Sequence, residues 1–195
     1  SGDVYALDPD KGGAVVWHNK VGRGGFLGGV HWGMSANGDS LFVPIADTTI
    51  TGRFTGPVSP GIHALDPTSG DLRWYTPSVA DCDGKSPIPV CDQGMSAAIT
   101  STDQLVFAGS LDGNLNVYDS LSGEILWSFD TFGDFESVSG DTALGGSIES
   151  DGPVLYKGHV LINSGYQFGA RMPGNALMVF SLPPEADLAR STRDE

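Results

Sequence analysis

One unit occurs three times along this chain, as VYALDPDKGGAVVW (4–17), IHALDPTSGDLRW (62–74) and NLNVYDSLSGEILW (114–127). The last copy shows the plan best: its first half alternates apolar and polar residues, the period of a half-buried strand. Asp8, Asp66 and Asp119 open a tight turn. Gly12 or Gly13, Gly70 and Gly123 close it, supplying the positive φ such turns need. A second strand then ends in Trp17, Trp74 or Trp127. The tryptophans recur at intervals of roughly 55 residues, and self-similarity at such a period means one supersecondary unit per repeat, in a propeller or a solenoid.

Between the repeated units lie further short apolar strands, and the whole chain divides into four-stranded sets as propeller blades do, with strand A innermost and D outermost. Residues 3–8 and 14–21 read as strands C and D of a first blade. A second has strands at 29–36, 40–46, 61–66 and 71–77, and a third at 95–101, 104–110, 114–120 and 124–130. The last has 145–150, 159–165 and 175–181, with no tryptophan-bearing fourth strand. The expected blade pieces are 1–22, 28–77, 94–130 and 142–182, a partial propeller over 1–183 followed by a polar tail at 184–195. This is an all-β class, with roughly three to four four-stranded antiparallel blades, about half a ring. That tally cannot close a ring, so further blades, or a second copy of the chain, are expected to complete it. The C–D turns are short. The long connections 47–60, 78–93, 131–144 and 166–173 read as irregular loops on the opposite side of the disc, where function concentrates.

The 28 glycines and 12 prolines punctuate short strands rather than form tracts. A net charge of −14 argues against nucleic acid, whose phosphates demand a basic face. No apolar run approaches membrane-spanning length. The only cysteines, Cys82 and Cys91, end the loop CDGKSPIPVC. Closure by a disulfide implies an oxidising, periplasmic or extracellular setting. The alternative is two unrelated thiols. No CxxC or CxxCH occurs, so neither a zinc ribbon nor haem c is expected in this chain.

The ALDPTSGDLRW segment (64–74) resembles the tryptophan motif of quinoprotein dehydrogenases, eight-bladed propellers holding pyrroloquinoline quinone (PQQ) on the axis. The resemblance covers about residues 2–183. LGGVHWGMSANGDSLFVPIAD (27–47), QGMSAAITSTDQLVFAGSLDGNLNVYDSLSGEILWSFDT (93–131) and VLINSGYQFGARMPGNALMVFSLP (160–183) look like the closing blades of polyvinyl-alcohol dehydrogenases. It implies oxidation of an alcohol or polyol with PQQ beside Ca²⁺, an electron acceptor such as cytochrome c, and a periplasmic or secreted location. The metal ligands and the catalytic aspartate of that family lie in earlier blades, so the resemblance assigns no catalytic residue here.

A polar residue followed by Trp at the start of a strand A reaches the cofactor in related alcohol dehydrogenases. His31-Trp32 matches that position, and Gly146 with Ser147 opens the last strand A near the axis. These four are the candidate cofactor contacts. The alternatives are a hydrogen-bonded structural histidine and simple crowding of small residues where inner strands converge. Asp47 ends a strand B without a spaced partner, and Asp151 with Gly152-Pro153 reads as a turn between strands A and B on the side away from the long loops, so no metal site is expected at Asp47, Glu149 or Asp151. Gln93-Gly94-Met95 stands where those relatives carry another Trp. That departure leaves a second reading open: a PQQ-free propeller serving as a periplasmic binding or scaffold module.

Overall fold

The structure is a computed structural model that describes residues 1–25, 28–48, 54–87, 90–166 and 169–182. The tail expected at 184–195 lies outside the described residues, as do parts of three of the long loops. Among the described residues, fifteen strands and one short 3-10 helix (Pro9–Lys11) make up the regular structure. β1 (Asp3–Asp8) pairs with β2 (Ala14–Lys20). A four-stranded sheet follows: β3 (Ser35–Ala36), β4 (Leu41–Ile45), β5 (Gly61–Leu65) and β6 (Leu72–Pro77). The next is β7 (Thr100–Ser101), β8 (Leu105–Gly109), β9 (Asn114–Asp119) and β10 (Ile125–Asp130). β11 (Gly133–Glu136) and β12 (Thr142–Gly145) form a hairpin. β13 (Val154–Tyr156), β14 (His159–Ser164) and β15 (Ala176–Ser181) close the order. All pairings are antiparallel between sequence neighbours, which is the up-and-down blade of a propeller.

β4, β5 and β8 bury both faces, and the core among the described residues is three layers between sheets rather than one centre. Along β4 and β5, Phe42, Ile62 and Ala64 point toward the following sheet, joining Met95, Ile99, Val106 and Tyr118. Val43, Ile45 and Leu65 point toward the preceding one and meet Val4 and Trp17. A third layer holds Ala97, Leu115, Ile148 and Ile162. Alternation with period two sorts each strand's side chains between two neighbours, so a one-residue slip would exchange every layer.

The repeated turn is built as its residues require. Asp66 accepts from the Thr68 amide and hydroxyl and the Ser69 amide, and Gly70 N donates to the Asp66 carbonyl. The Thr68 hydroxyl, with Arg73 at 2.8 Å, holds the Asp66 carboxyl well below the usual carboxylate range. Asp119 repeats the pattern with Leu121 and Ser122. One residue before each tryptophan the register shifts by a bulge, at Ala6/Leu7, Ala64/Leu65 and Ile125/Trp127. Such a bulge re-aims the next side chain, here out of its own sheet toward the neighbour.

Trp17 lands on Gly70, where a Cβ would sit 2.6 Å from the indole, and donates Nε1–H to the Pro67 carbonyl at 3.0 Å. Trp74 lands on Gly123, where a Cβ would sit 2.5 Å away, and donates to the Ser120 carbonyl at 3.1 Å. Two residues further on, Asn19 Nδ2 and Thr76 Oγ1 donate to the carbonyls of those same glycines. Glycine is therefore required twice over, by φ near +75° and by the ring above it.

Three expectations need correction. The 131–144 stretch is not an irregular loop: it carries β11 and runs into β12, joined through the Ser137–Asp141 turn. The inner strand of the last sheet pairs at β13 rather than at 145–150. Its turn is Lys157-Gly158, both at positive φ as a two-residue hairpin demands, not Asp151-Gly152-Pro153. The inner strands expected at 29–36 and 95–101 pair with their sheets only over β3 and β7. Their first halves bond instead to neighbouring segments, as where Val30 N donates to the Ser1 carbonyl and Met95 N to the Ile45 carbonyl.

Candidate functional site

The approach to His31-Trp32 is set by glycines. Gly29, at φ +76°, lies so close to the Ser1 carbonyl that a Cβ would overlap it, and Gly29 N donates to Asp47 Oδ1 at 2.9 Å. Asp47 is fully buried and accepts also from the amides of Arg23, Gly24 and Ser59. Four N–H groups replace the water its charge would otherwise need, so this carboxylate is committed to holding three chain segments together.

From that knot the inner segment runs outward with alternating exposure. Trp32 (48%) and Met34 (44%) face the open side, while His31, Gly33 and Ser35 face the next sheet. His31 Nδ1 lies 2.7 Å from Oγ of the buried Ser96, and Ser35 Oγ lies 2.7 Å from Ser101 Oγ. The His31 and Trp32 rings are 5.0 Å apart, tilted at 44°. A Cβ on Gly33 would reach 3.2 Å from Ala98, and one on Gly152 would reach 2.7 Å from the Ala98 carbonyl. Small residues thus let the inner segments of three sheets approach, leaving Trp32 and Met34 as an apolar edge.

Gly146 and Ser147 occupy a separate place under residues 171–173. Gly146 has the Met172 carbonyl where a Cβ would be, and Gly146 N donates to Ser164 Oγ. Ser147 is fully buried; its hydroxyl donates to the Leu111 carbonyl at 2.6 Å and accepts from Met172 N at 3.1 Å. His31 bonds to Ser96, whereas Gly146 and Ser147 bond to Leu111, Ser164 and Met172. Glu149 is likewise buried, and Asp151 exposed. Among the described residues no group of three or more His, Cys, Asp or Glu is placed to hold a metal ion.

A disulfide joins Cys82 and Cys91, with Cα atoms 5.9 Å apart. Its loop is tied to the following sheet. Asp81 N donates to Asp112 Oδ2, while the Lys85 ammonium, its side chain only 3% exposed, reaches the Asp112 carbonyl and Asp130. The loop then delivers the chain to Met95 and Ser96, and so to His31. No local pattern singles out Ser96 as the partner of His31, 65 residues away.

Fold and sheet order define a partial β-propeller of the kind found in PQQ-type proteins. The BamB structure from Moraxella catarrhalis superposes with TM-score 0.55 at 18% identity, over 85% of this chain and 41% of that one. The quinohemoprotein alcohol dehydrogenase ADHIIG of Pseudomonas putida HK5 does so with TM-score 0.51 at 21% identity, over 74% and 18%. The PQQ_2 family, described as outer membrane protein assembly factor BamB, matches residues 1–146 and 59–170, and the chain belongs to that family. Within it, the chain is similar to alcohol dehydrogenases. It is 34% identical to a polyvinylalcohol dehydrogenase of a Pseudomonas species and 32% identical to that of Sphingopyxis sp. strain 113P3, each over 93% of this chain. A 1-butanol dehydrogenase (cytochrome c) of Thauera butanivorans is 33% identical over 56% of the chain and 15% of its own length. The chain spans 29% of the length of the polyvinylalcohol dehydrogenases it matches.

Proposed function

We propose that this chain is part of the propeller of a PQQ-dependent alcohol dehydrogenase that oxidises hydroxyl groups of an alcohol or polyol. The observation that carries the reading is the identity to two polyvinylalcohol dehydrogenases across nearly the whole chain. The geometry supports it at one place. Trp32 offers an exposed aromatic face of the kind on which a planar quinone stacks. His31, held at Nδ1 by Ser96, would turn its other ring nitrogen to a polar group of the ligand.

When bound, PQQ supplies the hydride acceptor and Ca²⁺ polarises its carbonyl. This chain's residues bind and orient; the Ca²⁺ ligands and the aspartate base are assigned to other parts of the protein. The 1-butanol relative is named for a cytochrome c acceptor, and the same class of acceptor is proposed here, in the periplasm.

Two measurements test this. The chain alone, given PQQ and Ca²⁺, should reduce no dye above a no-protein control; turnover would place the chemistry within these residues and sink the division of labour. In the complete protein, Trp32→Ala should weaken PQQ binding, read by titration of the quinone absorbance. Unchanged affinity would return Trp32 to the structural residues. A PQQ-free scaffold is the second reading, favoured by Gln93 at the position where related dehydrogenases carry Trp. It predicts that the complete protein binds no PQQ at all.

A further inference from the structure

The first two sheets carry a ring pair that the third lacks. Tyr5 stacks on His18 at 4.4 Å and His63 on Tyr75 at 4.2 Å, each pair directly opposite in register. His18 and Tyr75 each follow the motif tryptophan. In the third sheet that place holds Ser128, opposite Asn116, and its hydroxyl donates to Asn116 Oδ1 at 2.6 Å. The rings of the second sheet close their space: His63 Nε2 lies 3.1 Å from the Ser59 carbonyl, and Tyr75 Oη donates to the Pro60 carbonyl at 3.0 Å. Where the rings are missing, a cleft of about 270 Å³ opens between the second and third sheets. Its inner end is polar, with Tyr118, only 1% exposed, beside Asn116 and Asp112. Pro77, Val79 and Ile125 give it an apolar outer edge, Val79 being 82% exposed. The Cys82–Cys91 loop follows that edge and is tied down beside it, where Asp81 N donates to Asp112 Oδ2.

We infer that this cleft binds a short run of an open-chain polyol, at a place separate from His31 and Trp32, so that a long alcohol is held here while another of its hydroxyls reacts. Among the described residues Asp112 is the only charged group lining the cleft. Its carboxylate is spent on Ser110 Oγ, on the amide and Nδ2 of Asn114, and on the Asp81 amide. A charged ligand would lose its water there without gaining a counter-charge, so the ligand is neutral. Burial, with the Asp112 charge, pushes the Tyr118 pKa up against the bond from Asn116, so this hydroxyl keeps its proton and can donate. The amides and hydroxyls of the cleft donate and accept, and a hydroxyl on the ligand does both in return. An ether or a ketone only accepts. The apolar edge suits the methylene groups between such hydroxyls. The volume lies just below the usual range of small-ligand sites, which begins at about 300 Å³, so the cleft takes a few carbons of a chain and leaves the rest outside. The choice of an open chain over a sugar rests on the alcohol reading above.

The test titrates the complete protein, kept free of PQQ, with a short poly(vinyl alcohol) oligomer in a calorimeter, and with maltohexaose in parallel. Hydrogen exchange read by mass spectrometry locates the contact: on adding the oligomer, residues 77–79 and 110–118 should gain protection. Asn116→His combined with Ser128→Tyr restores the ring pair of the other sheets and should weaken oligomer binding about tenfold or more. Val79→Asp changes an exposed side chain, so the fold survives even where the double variant does not, and it too should weaken binding. Absence of binding, protection confined to other residues, or unchanged affinity in a folded variant would each overturn the proposal. So would tighter binding of maltohexaose, which would give the cleft to a sugar. With no PQQ present, these failures leave the quinone reading standing, and a protein that never binds PQQ can still pass.

Discussion

Trp74 and Trp127 end equivalent strands of successive repeats, yet one is seated and the other is not. Trp74 lies over Gly123, bonded to Ser120, and packs beside Phe42 with ring centroids 5.9 Å apart. Trp127 is 41% exposed and meets Phe180 edge-on at 5.3 Å. The sheet after Trp74 offers a glycine turn; the sheet after Trp127 offers, among the described residues, only the side chains of β15. The tryptophan's contribution is thus a property of the junction, set by what the next repeat presents.

The sharpest way to break this comparison is to truncate both rings. Trp74→Ala removes a half-buried ring and its hydrogen bond and should cost about 3 kcal/mol, the lower end of the range for a buried large aromatic. Trp127→Ala should cost less than half as much, and Trp32→Ala, at the exposed inner edge, less still. Urea denaturation compares them directly, and equal losses would show that seating adds nothing. Next in size is the glycine beneath. Gly123→Ala forces a Cβ into the Trp74 ring at φ +74°, which should cost about 2–4 kcal/mol from overpacking and backbone strain together. Gly13→Ala meets the same backbone penalty in open space, about 1 kcal/mol.

The junction between the second and third blades also carries the Cys82–Cys91 bridge. Replacing both cysteines by alanine should remove about 2–3 kcal/mol, the chain-entropy value for so short a loop. A loss near zero would mean that Lys85 and Asp112 hold the loop unaided.

The smallest effect is one of pH. Burial pushes the His63 pKa below its ordinary value, against the bond to the Ser59 carbonyl. The unfolded chain then binds more protons than the folded one, so stability is complete above about pH 6.5 and falls as the pH drops through the folded-state value. His63→Gln should flatten the acid side of a plot of urea midpoint against pH. An unchanged slope there would exclude His63 as its source.

Much of this was legible in the sequence because the repeat writes each junction in full. Asp, Gly and Trp at fixed offsets mark the turn, the seat and the knob, and alternation marks the strands of the middle sheets. Val154-Leu155-Tyr156 and the Lys157-Gly158 turn were readable too, but Asp151-Gly152-Pro153 competed with a stronger turn signal. Gly152 is instead small because Ala98 lies against it. The hairpin of β11 and β12 was hidden by its own composition, two short strands bearing glycine and separated by a polar turn. The candidate site was the least legible part. Exposure of Trp32 follows from how Gly29 meets Ser1 and Asp47, and the bond from His31 to Ser96 joins residues 65 apart in sequence. No local pattern encodes either contact.

The indole hydrogen bonds span 50 and 46 residues, and the side-chain donors beside them 51 and 47. Each of the two seats at Gly70 and Gly123 is therefore filled from the repeat immediately before it. Such a chain is quasi-one-dimensional in its energetics, and the loop each junction must close stays the same however many repeats are added. A blade emerging during synthesis finds its neighbour already made, and can dock before the far end of the chain exists.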